Sequence, residues 1–372
     1  MEKKAKEPLI HLVKRDAIPW YKSWAIRGAA IIAGLLLCAL VTTIATGENP
    51  VSVYQTMLSG AFGSSRKAWI TFQNLSILLI ISLALSPAFK MKFWNIGAEG
   101  QILMGGLASA ACMICLRDIL PNWAVMVCMV LSSILAGAIW GVIPAVFKAL
   151  WKTNETLSTL MMNYIALQLV AYFIIVWEVP KGSGNIGIIN QESHIGWLPD
   201  VIHDNRYALP IIVAVLITGF IYVYQRYSKH GYEISVVGES ENTARYIGIN
   251  VEKVIIRTMA LSGAICGIAG LLLVGKINHT ITTTITNSQG FTAVMIPWLS
   301  KFNPIAMIFT SGLIIVLQRG ASEISTVFGF NSSFGDILTG IILFFIIGAE
   351  FFINYKINFR KKSDNKGKEA AF

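Results

Sequence analysis

Apolar stretches recur along the chain from residue 25 to residue 354, separated by short polar breaks. Each is about 20 residues long, enough for a helix to cross a hydrocarbon core of about 30 Å. The pattern predicts ten spans, at about 25–46, 69–88, 94–115, 121–147, 155–177, 207–227, 257–275, 287–300, 303–320 and 335–354. Two of them are irregular. The third carries Asn95, Glu99 and Gln101 among Gly97, Gly100, Gly105 and Gly106. The eighth is short and carries Gln289, Gly290 and Phe291. A carboxylate at membrane depth is costly unless it faces protein or water. Glycines weaken a regular helix and let the backbone turn or approach a neighbour. Such a polar interruption marks a discontinuous helix, whose open ends can hold a solute at membrane depth. Spans two to five and seven to ten read as two similar four-helix blocks, each with a broken or short helix.

Composition agrees with an all-α, polytopic membrane protein. The 372 residues are 55% hydrophobic and 13% charged, with a mean hydropathy of +0.62, where soluble domains carry about 25% charged residues. The stretch 25–46 is too long for a signal-peptide core and lacks a clear cleavage site, so it reads as the first span. The net charge of +10 comes from cations at both ends and in short loops. With ten spans, 23 of the 30 Lys and Arg residues fall on one side, which identifies that side as cytoplasmic. They include Lys3, Lys4, Lys6, Lys14, Arg15 and Lys22 in a basic arm, 1–24, and Arg360, Lys361, Lys362, Lys366 and Lys368 in a basic tail, 355–372. Counting 287–300 as a crossing keeps that tail inside. Part of this charge can hold the protein against anionic lipid. No soluble domain is left to bind nucleic acid. The five cysteines lie in or near apolar spans and read as packing residues, the pair Cys112 and Cys115 included.

The longest inner loop, 225–257, carries a short helical pattern. Ser240 is placed to cap it, and Gly248 to stop it. Ala244, Ile247 and Ile249 give it a partial apolar face. Two readings are open for such a helix: it rests on its own protein or the lipid surface, or it docks into a cytoplasmic partner.

Four stretches together resemble permease subunits of bacterial ABC importers for nucleosides, a branch of the superfamily that also holds ribose-type and branched-chain amino-acid permeases. They are 95–101 (NIGAEGQ), 155–166 (ETLSTLMMNYIA), 242–249 (NTARYIGI) with 261–270 (LSGAICGIAG), and 290–293 (GFTA) before Asn303 and Pro304. They occur in the family's order and cover most of 69–354. The chain departs from the pattern at Ile296-Pro297-Trp298-Leu299-Ser300 and in a long outer loop, 178–206. The resemblance implies half of a heterodimeric pore, paired with a second homologous permease. It implies a coupling helix, about 240–249, inserted into a cytoplasmic ATPase that binds the ATP, with Gly238, Glu239, Ser240, Asn242, Ala244, Arg245, Tyr246 and Gly248 as coupling residues. It also implies a lipid-anchored extracellular binding protein, and no cofactor or enzymatic activity in this chain.

Asn95, Glu99, Gln101 and Asn163, with Gln289 and Phe291, are the residues expected along the substrate pathway. Amides suit the hydroxyls and base edges of a nucleoside, and an aromatic face suits its base. The same residues have a structural reading: Asn95 and Gln101 satisfying opened helix ends, Glu99 in an internal pair or as a protonated, hydrogen-bonded acid, Asn163 bonding between helices. A simple sugar such as ribose is the alternative cargo, and an ion-coupled secondary carrier the alternative class; few ionisable residues beyond Glu99 lie inside the spans. The five histidines lack metal spacing. Gly270–Lys276 fits G-x-x-x-x-G-K but is followed by Ile277 inside a span, and 182–187 fits G-x-G-x-x-G without a preceding strand, so neither reads as a nucleotide site.

Overall fold

The computed structural model describes residues 10–14, 19–47, 49–202 and 205–359. Lys3, Lys4, Lys6 and Arg15 of the basic arm, His203, and Arg360, Lys361, Lys362, Lys366 and Lys368 of the basic tail lie outside the described residues.

The helices are α1 (Trp20–Thr46), α2 (Pro50–Phe62), α3 (Ser65–Lys90), α4 (Ala98–Cys115), α5 (Asn122–Trp151), α6 (Glu155–Trp177) and α7 (Ala208–Tyr227). Two short helices, α8 (Lys229–Glu239) and α9 (Glu241–Tyr246), follow, then α10 (Val251–Leu272), which continues into a π-helical stretch, Leu273–Asn278. The five-residue α11 (Gln289–Ala293) and α12 (Met295–Leu299) precede α13 (Pro304–Val327) and α14 (Ser332–Asn354). Local chemistry sets several starts. Ser64, Asn154, Ser228, Ser240 and Asn250 each accept a backbone N–H of the helix they open. Ser240 therefore caps α9 as the sequence predicts, and Gly248, in the left-handed region at φ +86°, ends the turn after it.

Nine of the described helices are long and apolar enough to cross a membrane. The third span is less broken than its glycines suggest. Only 93–97 is non-helical, and Gly100, Gly105 and Gly106 sit inside a regular α4. The eighth span is not a continuous helix at all. Residue 279 stands at one end of the bundle, where its carbonyl accepts from Ile189 N. Trp298 stands at the opposite end, packed on Phe89 of α3 and on Trp94. Residues 281–300 thus make the passage as a coil followed by two short helices.

The chain clusters into two compact units, one of residues up to Gly60 and from Leu317 on, the other Ala61–Val316. In the first, strands β1 (Ile10–Lys14) and β2 (Tyr355–Phe359) pair antiparallel, α1 packs along α14, and Arg27 of α1 meets Glu350 of α14 at 2.6 Å. The paired strands bring residues 10–14 and 355–359 side by side, and α2 is too short to span a bilayer.

In the second unit α10 packs between α4 and α5. Glycine brings these backbones together. A Cβ at Gly105 or Gly270 would collide with α10 or α4 backbone respectively, and one at Gly141 would stand 2.7 Å from the carbonyl oxygen of Met259. Small residues at crossings are how helices associate where the surrounding solvent is itself apolar.

Candidate translocation site and coupling loop

The 93–97 segment, the start of α4 and the broken passage meet inside the second unit. Asn95 is fully buried. Its Oδ1 accepts from Gly97 N at 3.0 Å and from Gln101 Nε2 at 3.3 Å, and its Nδ2 donates to Ser262 Oγ of α10 at 3.2 Å. Asn163 of α6 receives Gly100 N on Oδ1 at 2.8 Å and donates to the Ile96 carbonyl at 2.9 Å. Thr159, one turn earlier, accepts from Ile96 N at 3.2 Å. Asn95, Gln101 and Asn163 are therefore occupied in holding the turn before α4, because non-helical backbone at membrane depth must find its partners inside the protein.

Glu99 has a different task. Its carboxylate, in the first turn of α4, accepts from Thr286 Oγ1 and, at 2.9 Å, from Gly290 N at the start of α11. One acid thus pins the broken passage to α4. Gly290 lies so close that a Cβ there would come 2.6 Å from Glu99 N. Thr286 is the partner that sequence reasoning missed; the threonine-rich run 280–286 was the available signal. Gln289 and Phe291 take no part in these hydrogen bonds. Gln289 Oε1 is buried without a hydrogen-bond partner, and Phe291 is 42% exposed, next to the exposed Asn287 and Ser288.

The 228–250 loop packs as a unit against the Lys90 end of the bundle. Ile234, Val237, Ala244, Val251, Val254 and Met259 share a buried cluster with Ala88 and Met91. Gly238 abuts the Lys90 carbonyl, where a side chain has no room. Glu239 lends its carbonyl to Lys92 at 3.5 Å. Arg245 pairs with Glu252 at 2.7 Å, and Arg257 with Glu233 at 2.7 Å. That guanidinium holds the Glu233 carboxyl below the usual carboxylate range. Ala244, expected among the coupling residues, is 0% exposed, because α9 turns its one small residue onto α10 and leaves it no outward face for a partner. The outward side of α9 carries Glu241, Asn242 and Thr243, and Tyr246 at 92% exposure.

At the opposite end the 178–206 loop closes over the bundle. Trp197 stacks on His279 with ring centroids 3.8 Å apart, and His194 meets it at a tilt, with centroids 4.3 Å apart. Lys276, the lysine of the G-x-x-x-x-G-K pattern, is buried and bound to Asp200 and to the carbonyls of Leu198 and Pro199. In the other glycine pattern, Gly182 N and Gly184 N both donate at 2.8 Å to the Glu178 carboxylate, holding that acid below its ordinary range. Both patterns are spent on the protein itself. Burial among cations pushes the His279 imidazole down to about 4.

Residues 69–347 match the family model described as branched-chain amino acid transport system / permease component. The chain belongs to this permease family. It is therefore a transport component, and the spans and their glycine seams are those of a permease. Among its relatives, the nucleoside ABC transporter permease protein NupB of Lactococcus lactis subsp. cremoris is 27% identical over 325 residues, covering 85% of this chain and 88% of that protein. The guanosine ABC transporter permease protein NupP of Bacillus subtilis is 28% identical, covering 86% and 92%. The glucose ABC transporter permease protein TsgB13 of Haloferax volcanii is 26% identical, covering 97% and 96%.

Proposed function

We propose that this permease forms half of the translocation pathway of an ATP-driven importer for nucleosides. The observation that carries the reading is the likeness over most of both chains to NupB and NupP, which are named for nucleoside and guanosine transport. The broken passage fits it: the exposed Phe291 offers an aromatic face to a solute. The second half of the pathway is a homologous permease. A lipid-anchored binding protein delivers the nucleoside at the 178–206 end. A cytoplasmic ATPase, which binds the ATP, engages the outward side of α9 through Tyr246, Asn242 and Arg245. Both chain ends are cytoplasmic, in line with the paired terminal strands and the basic ends. Alternating access follows when the ATPase moves the 228–250 loop, which is packed on the end of α3 next to the Glu99 turn.

A simple sugar is the second reading, supported by the match to a glucose permease along nearly the whole chain. Uptake of labelled guanosine, uridine and glucose in cells with and without the gene decides between them. Loss of nucleoside uptake alone supports the first reading; loss of glucose uptake alone replaces it with the second.

A further inference from the structure

Two tryptophans from the two irregular segments meet at the Lys90 end of the pathway. Trp94 lies in the 93–97 turn and Trp298 in α12. Their rings stack with centroids 5.3 Å apart and planes 20° from parallel. Phe89, fully buried in α3, backs both, with centroids 6.0 and 6.1 Å away. Phe302 closes one side edge-on at 5.1 Å. The other side is open: Trp94 is 44% and Trp298 40% exposed. The pair is thus a rigid aromatic ledge, seated on the core and free on one face.

We propose that this ledge is a base-stacking site, which takes the purine or pyrimidine ring of the solute at the inner mouth of the pathway. The inference rests on the nucleoside reading above and assigns its last contact before release. Three observations favour a solute over lipid as the occupant. Both tryptophans sit in or beside irregular backbone, with Lys301 and Phe302 in the left-handed region immediately after α12. Irregular backbone at membrane depth belongs against protein or water, not against acyl chains. Phe291, in the short helix before that of Trp298, is also exposed, so a further aromatic face lies along the same passage. Stacking, finally, is tolerant of sequence, since every base has a π-face. A ledge of this kind holds any nucleoside weakly, which suits a pathway that must let go.

The test uses the complete importer in native membranes, energised with ATP, and 5-iodouridine as a photoreactive nucleoside. After irradiation, the permease is digested and its adducts mapped by mass spectrometry. An adduct on the peptide holding Trp94 or Trp298, competed by unlabelled uridine, supports the ledge. Import of iodouridine with adducts only elsewhere overturns the ledge and leaves the nucleoside reading intact. Import of glucose but of no nucleoside overturns both. In a second arm, Trp94→Leu and Trp298→Leu should each lower nucleoside uptake about 5-fold or more, the scale of a lost base stack. The phenylalanine variants should recover most of it, and ATPase stimulation by the loaded binding protein should persist in all four. Equal uptake by the leucine variants and the native protein would also overturn the ledge.

Discussion

Gly137 of α5 and Gly263 of α10 stand backbone to backbone, and a Cβ on either would run into the carbonyl oxygen of the other. Gly267 repeats the arrangement one turn on, against Ser133. Replacing Gly263 with alanine must push α10 off α5, at a cost of about 1–3 kcal/mol typical of overpacking. Gly219→Ala in α7 is the control, because open space surrounds that position. Thermal unfolding in mild detergent should show a lowered midpoint for Gly263→Ala and none for Gly219→Ala; equal midpoints would contradict the seam.

The Glu99 pin makes a different prediction. Glu99→Ala removes the acceptor of both Thr286 Oγ1 and Gly290 N. Leaving a buried donor unsatisfied costs about 1–3 kcal/mol. Uptake should fall by about tenfold or more in Glu99→Ala, with Glu99→Gln intermediate because its amide oxygen still accepts. Thr286→Val should be far less harmful in the Glu99→Ala background than alone. Additive losses in that double-mutant cycle would mean the two side chains act independently.

On the coupling loop, burial separates two substitutions that a sequence would treat alike. Ala244→Asp drives a charge into the cluster with Val237, Val251 and Met259, so it should destabilise the protein by more than about 2 kcal/mol. Tyr246→Ala touches a side chain that rests on nothing, and should leave the unfolding midpoint alone while lowering ATP-driven uptake. A Tyr246→Ala protein with native uptake would remove Tyr246 from the docking surface.

Acid should loosen the opposite end. The His279 value of about 4 lies below the 6.5 of a free imidazole. Between those two values the unfolded chain binds more protons than the folded one, so stability falls as pH drops from 6.5 toward 4. His279→Phe keeps a ring against Trp197 and cannot titrate. Unfolding midpoints compared from pH 7 to pH 4 should therefore decline less steeply in His279→Phe than in the native protein; parallel curves would locate the acid sensitivity elsewhere.

Much of this architecture is written in local pattern. Span lengths follow from apolar runs, and the Ser240 cap and Gly248 stop follow from residue types with one conformational purpose. The passage at 281–300 was legible through charge, since only a crossing there keeps the basic tail beside the basic arm, although its two short helices were not. What local pattern could not supply is contact between distant segments. Nothing near Glu99 names Thr286, and nothing near Gly137 names Gly263. The orientation of α9 failed for a related reason: six residues make fewer than two turns, too few for an apolar stripe to say which side is down. Asn95, Gln101 and Asn163 look alike in a sequence whether they meet a solute or a backbone, and only their partners distinguish the two.

The clasp between Ile10–Lys14 and Tyr355–Phe359 has a consequence for biosynthesis. The helix Trp20–Thr46 is made long before its neighbour, Ser332–Asn354. The unit from Ala61 to Val316 is made in the interval between them. A nascent permease thus holds Trp20–Thr46 without its mate until Ser332–Asn354 emerges, and a chain truncated ahead of Ser332 would lack the Glu350 partner of Arg27.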